Sequence, residues 1–337
     1  MFEETYKKTH SFKHKIILFA CYFGKLPPYL PLVLRSMACN PSIDWLIIGD
    51  NMPDAPFPAN VKFVLSSMRE VAGEIEKQCK TPVFLNSCYD VARLRPMYGY
   101  CLKDFFFGYD FWGHIDLDVI FGDLRTFLPD NILTNNDRIY CRGHLSIYRN
   151  TPEVNSCFMR RAPGAPCYKD ILNYNNLCAF DEWDGIWKIF RYYRLNQYHN
   201  EVIADIIPPT KYKITKFETT ELQNYPSQIF YWHEGKTFQA YYHREGGLFD
   251  REVAYVHFQK RKLPLYSFNP LNVNGFTIGP LGFSPYDREN LSREEMARLN
   301  STTWRPISEI VSNTKTGVIS KFRKTLKNAN SSNHKRQ

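Results

Sequence analysis

Two carboxylates, Asp116 and Asp118, stand close together in an otherwise apolar run, FWGHIDLDVIFGDLRTFL, at residues 111–128. Side chains at i and i+2 of an extended segment point to the same side, so both carboxylates could converge on one cation. Buried charges are costly unless they are paired or bound to a metal, and oxygen-ligated Mg²⁺ or Mn²⁺ commonly bridges to a phosphate. The spacing therefore predicts a metal-dependent site for a nucleotide diphosphate. The alternative is that the aspartates cap a following turn.

The residues around this pair predict how it is positioned. They are β-branched or bulky and apolar, and the run is bounded by Gly113 and Gly122. Such a pattern is typical of a buried central parallel strand. In an α/β sheet, ligands bind at the carboxyl ends of the strands. We therefore expect Asp116 and Asp118 at the end of such a strand.

The rest of the chain alternates short apolar runs with helical patterns, which predicts an open α/β sheet. Strands are predicted near residues 15–23, 45–48, 61–65, 139–148 and 253–258. Helices are predicted near residues 30–38, 67–77, 88–107, 153–160, 170–177, 180–190 and 292–299. The alternating pattern of residues 203–255 indicates antiparallel hairpins.

Composition narrows the class of protein. A chain of 337 residues can bury a full core, and no window approaches the run of about 18 apolar residues that a membrane span needs. The first apolar run, residues 16–23, predicts a strand better than a signal peptide. Nine cysteines without a CxxC pair fit free thiols in a reducing compartment rather than a zinc site. We expect a cytoplasmic protein.

Most of the net charge of +9 lies at the end of the chain. Residues 314–337 hold seven Lys or Arg and no Asp or Glu. The body is nearly balanced, which argues against a nucleic-acid-binding domain. Within the tail, Ile319, Phe322 and Leu326 among basic residues predict a short amphipathic helix that suits anionic lipid on the inner face of the cell membrane. The alternative is a disordered, merely solubilising terminus.

Four segments together resemble bacterial GT-A glycosyltransferases that build capsular and lipopolysaccharide chains. They are RLRPMYGYCLKDFFFGYDFWGHIDLDVIFGDL (93–124), RGHLSIYRN (142–150), FDEWDG (180–185) and HFQKRK (257–262). The resemblance covers residues 15–265 and implies a GT-A, Rossmann-like mixed sheet flanked by helices, with a smaller C-terminal acceptor-side part. The expected division is a GT-A domain at 1–285, a helical extension at 286–313 and the basic tail at 314–337.

The resemblance also implies an activity. It implies a hexosyltransferase that uses a nucleotide-sugar donor, with UDP favoured, and a divalent metal, Mn²⁺ or Mg²⁺. The acceptor would be a growing cell-surface polysaccharide or a lipid-linked saccharide. Two alternatives remain open at this stage: a metal-dependent phosphohydrolase or nucleotidyltransferase, and a non-catalytic carbohydrate-binding relative.

The metal ligands implied by the resemblance are Asp116, Asp118 and His257. Asp118 matches the direct ligand, and Asp116 lies nearer to ribose or sugar hydroxyls. His257 matches the late histidine that completes the metal shell, and a neutral imidazole suits Mn²⁺. The alternative for His257 is a structural histidine of the core.

Further donor-binding residues are implied at the other matching positions. Asp50 would contact the base or ribose, Arg93 and Arg95 the nucleotide or donor sugar, and Lys260 and Lys262 the departing diphosphate. Each has a plain alternative: a turn residue for Asp50, an ion pair within the helix for the two arginines, and a solvated basic turn for the two lysines.

Asp181 and Glu182 are the candidate catalytic bases. An inverting transfer needs a carboxylate to take the proton of the acceptor hydroxyl. Phe180, Trp183 and Trp187 would desolvate such a carboxylate and raise its pKa toward the working range. Aromatic faces also suit a sugar ring. The alternative is that the two residues are only the acidic first turn of a helix. Of the two candidate bases, Asp181 is favoured over Glu182.

Overall fold

The computed structural model describes most of the chain, and the following concerns those residues only. They are 12–53, 56–173, 179–200, 202–206, 212–216, 220–243, 246–259, 269 and 273–301. The strands are β1 (Ile16–Tyr22), β2 (Ile43–Gly49), β3 (Val61–Leu65), β4 (Phe111–Ile115), β5 (Val119–Phe121), β6 (Arg138–Arg142), β7 (Leu145–Arg149), β8 (Gln197–Tyr198), β9 (Ala204–Asp205), β10 (Gln228–His233), β11 (Lys236–Tyr242), β12 (Leu248–Val253), β13 (Tyr255–His257), β14 (Gly275–Ile278) and β15 (Phe283–Pro285).

Helices lie between these strands and after the last of them. The α-helices are α1 (Leu30–Ala38), α2 (Met68–Cys79), α3 (Tyr98–Cys101), α4 (Leu124–Phe127), α5 (Asp130–Asn135), α6 (Pro152–Ser156), α7 (Tyr168–Leu172), α8 (Ile186–Tyr192) and α9 (Arg293–Ser301). Cys88–Met97, Lys103–Phe106 and Cys157–Met159 form 3₁₀ turns. No described helix combines the length and the apolar character that a membrane span requires.

A seven-stranded mixed sheet organises the fold, in the order β3-β2-β1-β4-β7-β6-β8. Strands β3, β2, β1 and β4 run parallel, and β7 pairs antiparallel with both β4 and β6. Strands β1, β2 and β4 are mostly apolar because both faces of the sheet are covered there, whereas the edge strand β3 exposes Lys62. In β1, Leu18 and Ala20 enter one core cluster and Ile17 and Phe19 the other. Helix α1 packs in the first cluster and α2 in the second, which confirms the predicted mixed α/β fold flanked by helices.

Two smaller sheets complete the structure. A five-stranded antiparallel sheet, β12-β11-β10-β14-β15, shares its core cluster with one face of the main sheet. It forms a smaller C-terminal part and contains the hairpins expected between residues 203 and 255. The third sheet has three very short strands, β5-β13-β9, which come from distant parts of the chain. This third sheet positions the candidate site.

Several local predictions are confirmed. Helix α1 covers residues 30–38 and β3 covers residues 61–65, as expected. Helix α2 starts after Ser67, whose hydroxyl accepts a hydrogen bond from the N–H of Glu70 at 3.2 Å, while the Glu70 carboxylate accepts one from the N–H of Ser67 at 2.7 Å. This reciprocal cap is a strong local signal, which explains why the sequence located the helix.

Two local predictions differ from the structure. The helix expected over 88–107 is a 3₁₀ turn followed by the short helix α3 and a second 3₁₀ turn, because Pro96 lacks an N–H and interrupts an α-helical hydrogen-bond ladder. The apolar run at 111–121 is two strands instead of one. Strand β4 ends at Ile115 and β5 joins a different sheet, so Asp116 and Asp118 lie in the crossover between the two sheets.

Replacement of two helical glycines by alanine should change the stability of the protein in opposite directions. A Cβ on Gly99 in α3 would overlap the indole of Trp112 and the amide of Asn155, whereas a Cβ on Gly73 in α2 meets no atom within 4 Å. We expect Gly99→Ala to lower the free energy of unfolding by about 1–3 kcal/mol through overpacking. Gly73→Ala should raise it by about 0.5–1 kcal/mol through helix propensity. Urea denaturation measures both, and equal effects would contradict the packing described for α3.

Candidate active site

The carboxyl edge of the parallel strands carries the candidate site. Asp50 follows β2, and Asp116 follows β4. The Asp50 carboxylate accepts a hydrogen bond from the N–H of Gly24 at 2.7 Å and so joins the loops after β1 and β2. Asp50 is exposed at this edge. Its predicted contact with a base or ribose stays a prediction.

Asp116, Asp118 and His257 lie together beside this edge. One ligand atom from each residue lies within 4.8 Å of the others. The register of β5 and β13 explains the arrangement, because it pairs His257 with Val119, directly after Asp118. His257 Nε2 lies 3.4 Å from Asp118 Oδ1, and the N–H of Phe258 donates to the carbonyl of Asp118 at 3.1 Å. Two carboxylates and an imidazole are a donor set that suits a divalent cation.

Asp205 lies behind His257 and fixes its orientation. The parallel pairing of β9 with β13 places Asp205 opposite His257, and its Oδ1 lies 2.7 Å from Nδ1 of the imidazole. Gln259 donates to the same oxygen at 2.6 Å. When Nδ1–H donates to Asp205, the Nε2 atom is left to face Asp118. A carboxylate that orients the far nitrogen of a metal-binding histidine is a common supporting arrangement.

The charges of this group favour cations. Burial opposes a charged imidazole, but Asp118 and Asp205 outweigh it and raise the pKa of His257 to about 10. Burial would likewise raise the pKa of Asp205, but the hydrogen bond and charge of His257 hold this pKa well below its ordinary value. When no metal is bound, His257 is therefore protonated on both ring nitrogens and is a cation between two carboxylates. A divalent cation would compete with that proton for the same nitrogen.

A second possible metal group overlaps the first. His144, Asp205 and His257 also satisfy the distance requirement, and all three are buried. The imidazole of His144 stacks on that of His257 with ring centroids 4.2 Å apart, and its Nδ1 lies 3.0 Å from the hydroxyl of Tyr255. His144 thus packs on the ring of His257. Asp116 and Asp118 are more exposed, so they are the residues that an entering ion would meet first.

Arg95 connects the metal group to a candidate base. Its guanidinium forms ion pairs with Asp116 and, at 3.0 Å, with Asp181. It also donates to the carbonyl of Gly143 at 2.6 Å. Burial disfavours the charged guanidinium, but Asp116 and Asp181 outweigh it and raise the pKa of Arg95 further. Arg95 is therefore a fixed positive charge inside the site.

Asp181 and Glu182 lie in the same group but in different surroundings. Asp181 is buried, and burial raises its pKa to about 6 despite the opposing charge of Arg95. Glu182 is half-buried, and its carboxylate accepts a hydrogen bond from the N–H of Gly143 at 3.0 Å. A base needs a pKa near the working pH, and Asp181 meets this condition.

Arg93 is not brought to the group. It is buried, forms an ion pair with Asp90, and donates to the carbonyls of Phe84 and Ile171. A 3₁₀ helix has three residues per turn, so residues two positions apart point in different directions. This separates the side chain of Arg93 from that of Arg95. Arg93 thus matches the alternative given in the sequence analysis, an ion pair with a residue of its own helical segment. Lys260 and Lys262 lie outside the described residues, as does the basic tail at 314–337.

Sequence reasoning missed Asp205 and Gln259. A signal for Asp205 was present, because it interrupts the apolar run VIADII at residues 202–207, much as Asp116 and Asp118 interrupt theirs. A charge within such a run requires a partner. The partner, His257, is 52 positions away and could not be read from local pattern.

Metal affinity should separate the two overlapping groups. We expect Asp118→Asn to remove most Mn²⁺ binding, because it takes away the predicted direct ligand. Asp205→Asn should weaken binding by about 10–100-fold through loss of the orienting hydrogen bond. His144→Gln should have the smallest effect, and Asp123→Asn serves as a control outside the group. Titration calorimetry with Mn²⁺ measures all four, and full binding by Asp118→Asn with loss in His144→Gln would place the ion in the inner group.

Comparisons with known proteins give one matching family and similarities to solved structures, among them two structures of LgtC. An active-site mutant of LgtC aligns with 40% of this chain at 17% identity, and galactosyltransferase LgtC in complex with donor and acceptor sugar analogs aligns with 54% at 15% identity. Both alignments have a TM-score of 0.28 and span 57% and 66% of the respective LgtC chains. No curated protein matches. A family model, described as a family of unknown function (DUF6625), matches residues 18–287, and the chain therefore belongs to the DUF6625 family.

Proposed function

We propose that this protein is a metal-dependent glycosyltransferase that moves a sugar from a nucleotide-diphosphate donor to a saccharide acceptor. The main support is the grouping of Asp116, Asp118 and His257 at the carboxyl edge of the sheet, with Asp205 behind the histidine. The sequence resemblance to GT-A polysaccharide glycosyltransferases points to the same reaction.

The residues of the site have distinct roles in this proposal. A divalent ion on Asp116, Asp118 and His257 would offset the charge of the diphosphate as its bond to the sugar breaks. Asp181 would receive the proton of the acceptor hydroxyl on its carboxylate. Arg95 would hold Asp116 and Asp181 at a fixed separation, so that donor and acceptor chemistry take place side by side.

Finer details of the proposal depend on the resemblance alone. They are a UDP-hexose donor, Mn²⁺ or Mg²⁺ as the ion, and an acceptor that is a growing capsular or lipopolysaccharide chain or a lipid-linked saccharide. Contact of Lys260 and Lys262 with the departing diphosphate belongs with these details, whereas contact of the basic tail with anionic membrane is predicted from the amphipathic pattern of the tail itself.

Loss of a metal ligand should abolish turnover. We expect Asp118→Asn to lower Mn²⁺-dependent consumption of a UDP-sugar by about a hundredfold or more, since a catalytic cation contributes several kcal/mol of charge stabilisation. Asp123→Asn should retain activity, because the Asp123 side chain accepts a hydrogen bond from Thr126 instead. Product analysis from a panel of UDP-hexoses, with and without saccharide acceptors, measures the effect.

The same assay tests the alternatives. Donor cleavage that is independent of every acceptor would indicate a phosphohydrolase or nucleotidyltransferase. Absence of nucleotide binding in the presence of Mn²⁺ would indicate a non-catalytic relative. Full activity in Asp118→Asn would refute the proposed metal role.

The pH dependence of transfer should report Asp181. The base acts in its ionised form, so the transfer rate should rise with pH through the pKa of Asp181, which is about 6 without metal and lower once metal is bound, and level off above it. Asp181→Asn should lower the rate by about 10²–10⁴-fold and remove this rise. Glu182→Gln should keep the profile. A rise that persists in Asp181→Asn would assign the base to another group.

A further inference from the structure

A cationic surface lies on and around α8, the helix that follows the candidate base in the chain. It is formed by α8 and by the segment before α7, and we define the α8 surface as Arg160, Arg161, Lys188, Arg191, Tyr193 and Arg194. The two segments are tied together by direct contacts. The hydroxyl of Tyr193 donates to the carbonyl of Arg161 at 3.0 Å, and Lys188 Nζ donates to the carbonyl of Gly164 at 3.0 Å. The guanidinium of Arg160 lies 4.9 Å from the ring of Tyr193.

Much of this positive charge is not compensated. Arg160 pairs with Glu153 at 3.3 Å and Lys188 with Asp184 at 3.0 Å. Arg161, Arg191 and Arg194 are exposed, and no carboxylate of the described residues lies within ion-pair distance of them. Three exposed guanidinium groups, two on or directly after α8 and one on the segment that α8 contacts, create a positive potential that attracts anions.

Aromatic side chains join the α8 surface to the site. The guanidinium of Arg191 lies 5.2 Å from the ring of Trp187, and the rings of Trp187 and Trp183 are 4.8 Å apart. Trp183 follows Asp181 by two residues, and the guanidinium of Arg142 lies 5.3 Å from its ring. Both tryptophans are half-buried. Indole rings provide apolar contact area for sugar rings, with a polar N–H beside it.

We propose that the α8 surface binds an anionic saccharide acceptor, a sugar chain that carries carboxylate or phosphate groups. The inference rests on the proposed function and names the class of its acceptor. Guanidinium groups bind carboxylates and phosphates through paired hydrogen bonds. The surface continues from Asp181 through Trp183 and Trp187 to Arg191. This continuity favours a saccharide that runs from the base across the tryptophans to the arginines. A lipid surface would need no such continuity.

Direct binding to two oligosaccharides of equal length tests the proposal. Tetragalacturonate carries a carboxylate on each sugar, and maltotetraose carries none. We expect the full chain to bind tetragalacturonate more tightly at low ionic strength and to lose this preference as salt screens the charges. Calorimetry or tryptophan fluorescence measures both affinities without a donor sugar.

A matched pair of variants locates the binding. The combination Arg161→Gln, Arg191→Gln and Arg194→Gln should weaken tetragalacturonate binding roughly tenfold, as the sum of three exposed ion pairs. The combination Lys62→Gln, Arg69→Gln and Lys77→Gln removes the same charge from exposed positions on β3 and α2 and should leave binding near the wild-type level. Thermal denaturation of both variants shows that the fold is retained.

Three outcomes of the binding experiments would overturn the inference. They are equal affinity for the two oligosaccharides, wild-type binding by the arginine variant, and capture by phosphatidylglycerol vesicles that depends on the three arginines without any binding of tetragalacturonate. The binding assay requires no turnover, so a failure of the UDP-sugar assay stays distinguishable from these results. Transfer to neutral acceptors at the same rate as to acidic ones would overturn this inference and leave the proposed function standing.

Discussion

The site depends on negative charge that is held at the carboxyl edge of the main sheet and must be compensated there. It combines four carboxylates and two cations: Asp116, Asp118, Asp181, Asp205, Arg95 and His257. Each cation is shared between two carboxylates, so negative charge exceeds positive charge among these six residues. Such an excess is costly in a buried setting unless a further cation or proton enters. A divalent ion that displaces the His257 proton adds one positive charge and so moves the group toward balance.

The three-stranded sheet gives this charge arrangement its geometry. Strands β5, β9 and β13 have only two or three residues each, yet their pairing places Asp118, Asp205 and His257 side by side. Backbone hydrogen bonds fix the order, since the N–H of Ile206 donates to the carbonyl of His257 at 2.8 Å. His257 lies on a paired strand and Asp118 directly precedes one, so both are held more rigidly than residues of a free loop, which limits the entropy that metal binding must offset.

Local patterns explain what could be predicted from the sequence. Apolar runs located the parallel strands, the cap at Ser67 located α2, and two charges in an apolar run located Asp116 and Asp118. Long-range pairing could not be predicted. The partnership of Asp205 with His257 depends on the meeting of β9 and β13, and no single segment shows it. The prediction for residues 88–107 failed because a helical pattern of apolar residues does not distinguish a 3₁₀ turn from an α-helix.

Arg95 makes the two halves of the proposed reaction interdependent. Its guanidinium is shared between Asp116, a predicted metal ligand, and Asp181, the candidate base. An ion that draws the Asp116 carboxylate toward itself would leave Arg95 more fully paired with Asp181. The stronger pairing and the added positive charge would both lower the pKa of Asp181, so the base would be ionised at lower pH once metal is present. Because free energies of coupling are reciprocal, ionisation of Asp181 would in turn compete with Asp116 for Arg95 and leave the Asp116 carboxylate freer to bind the ion.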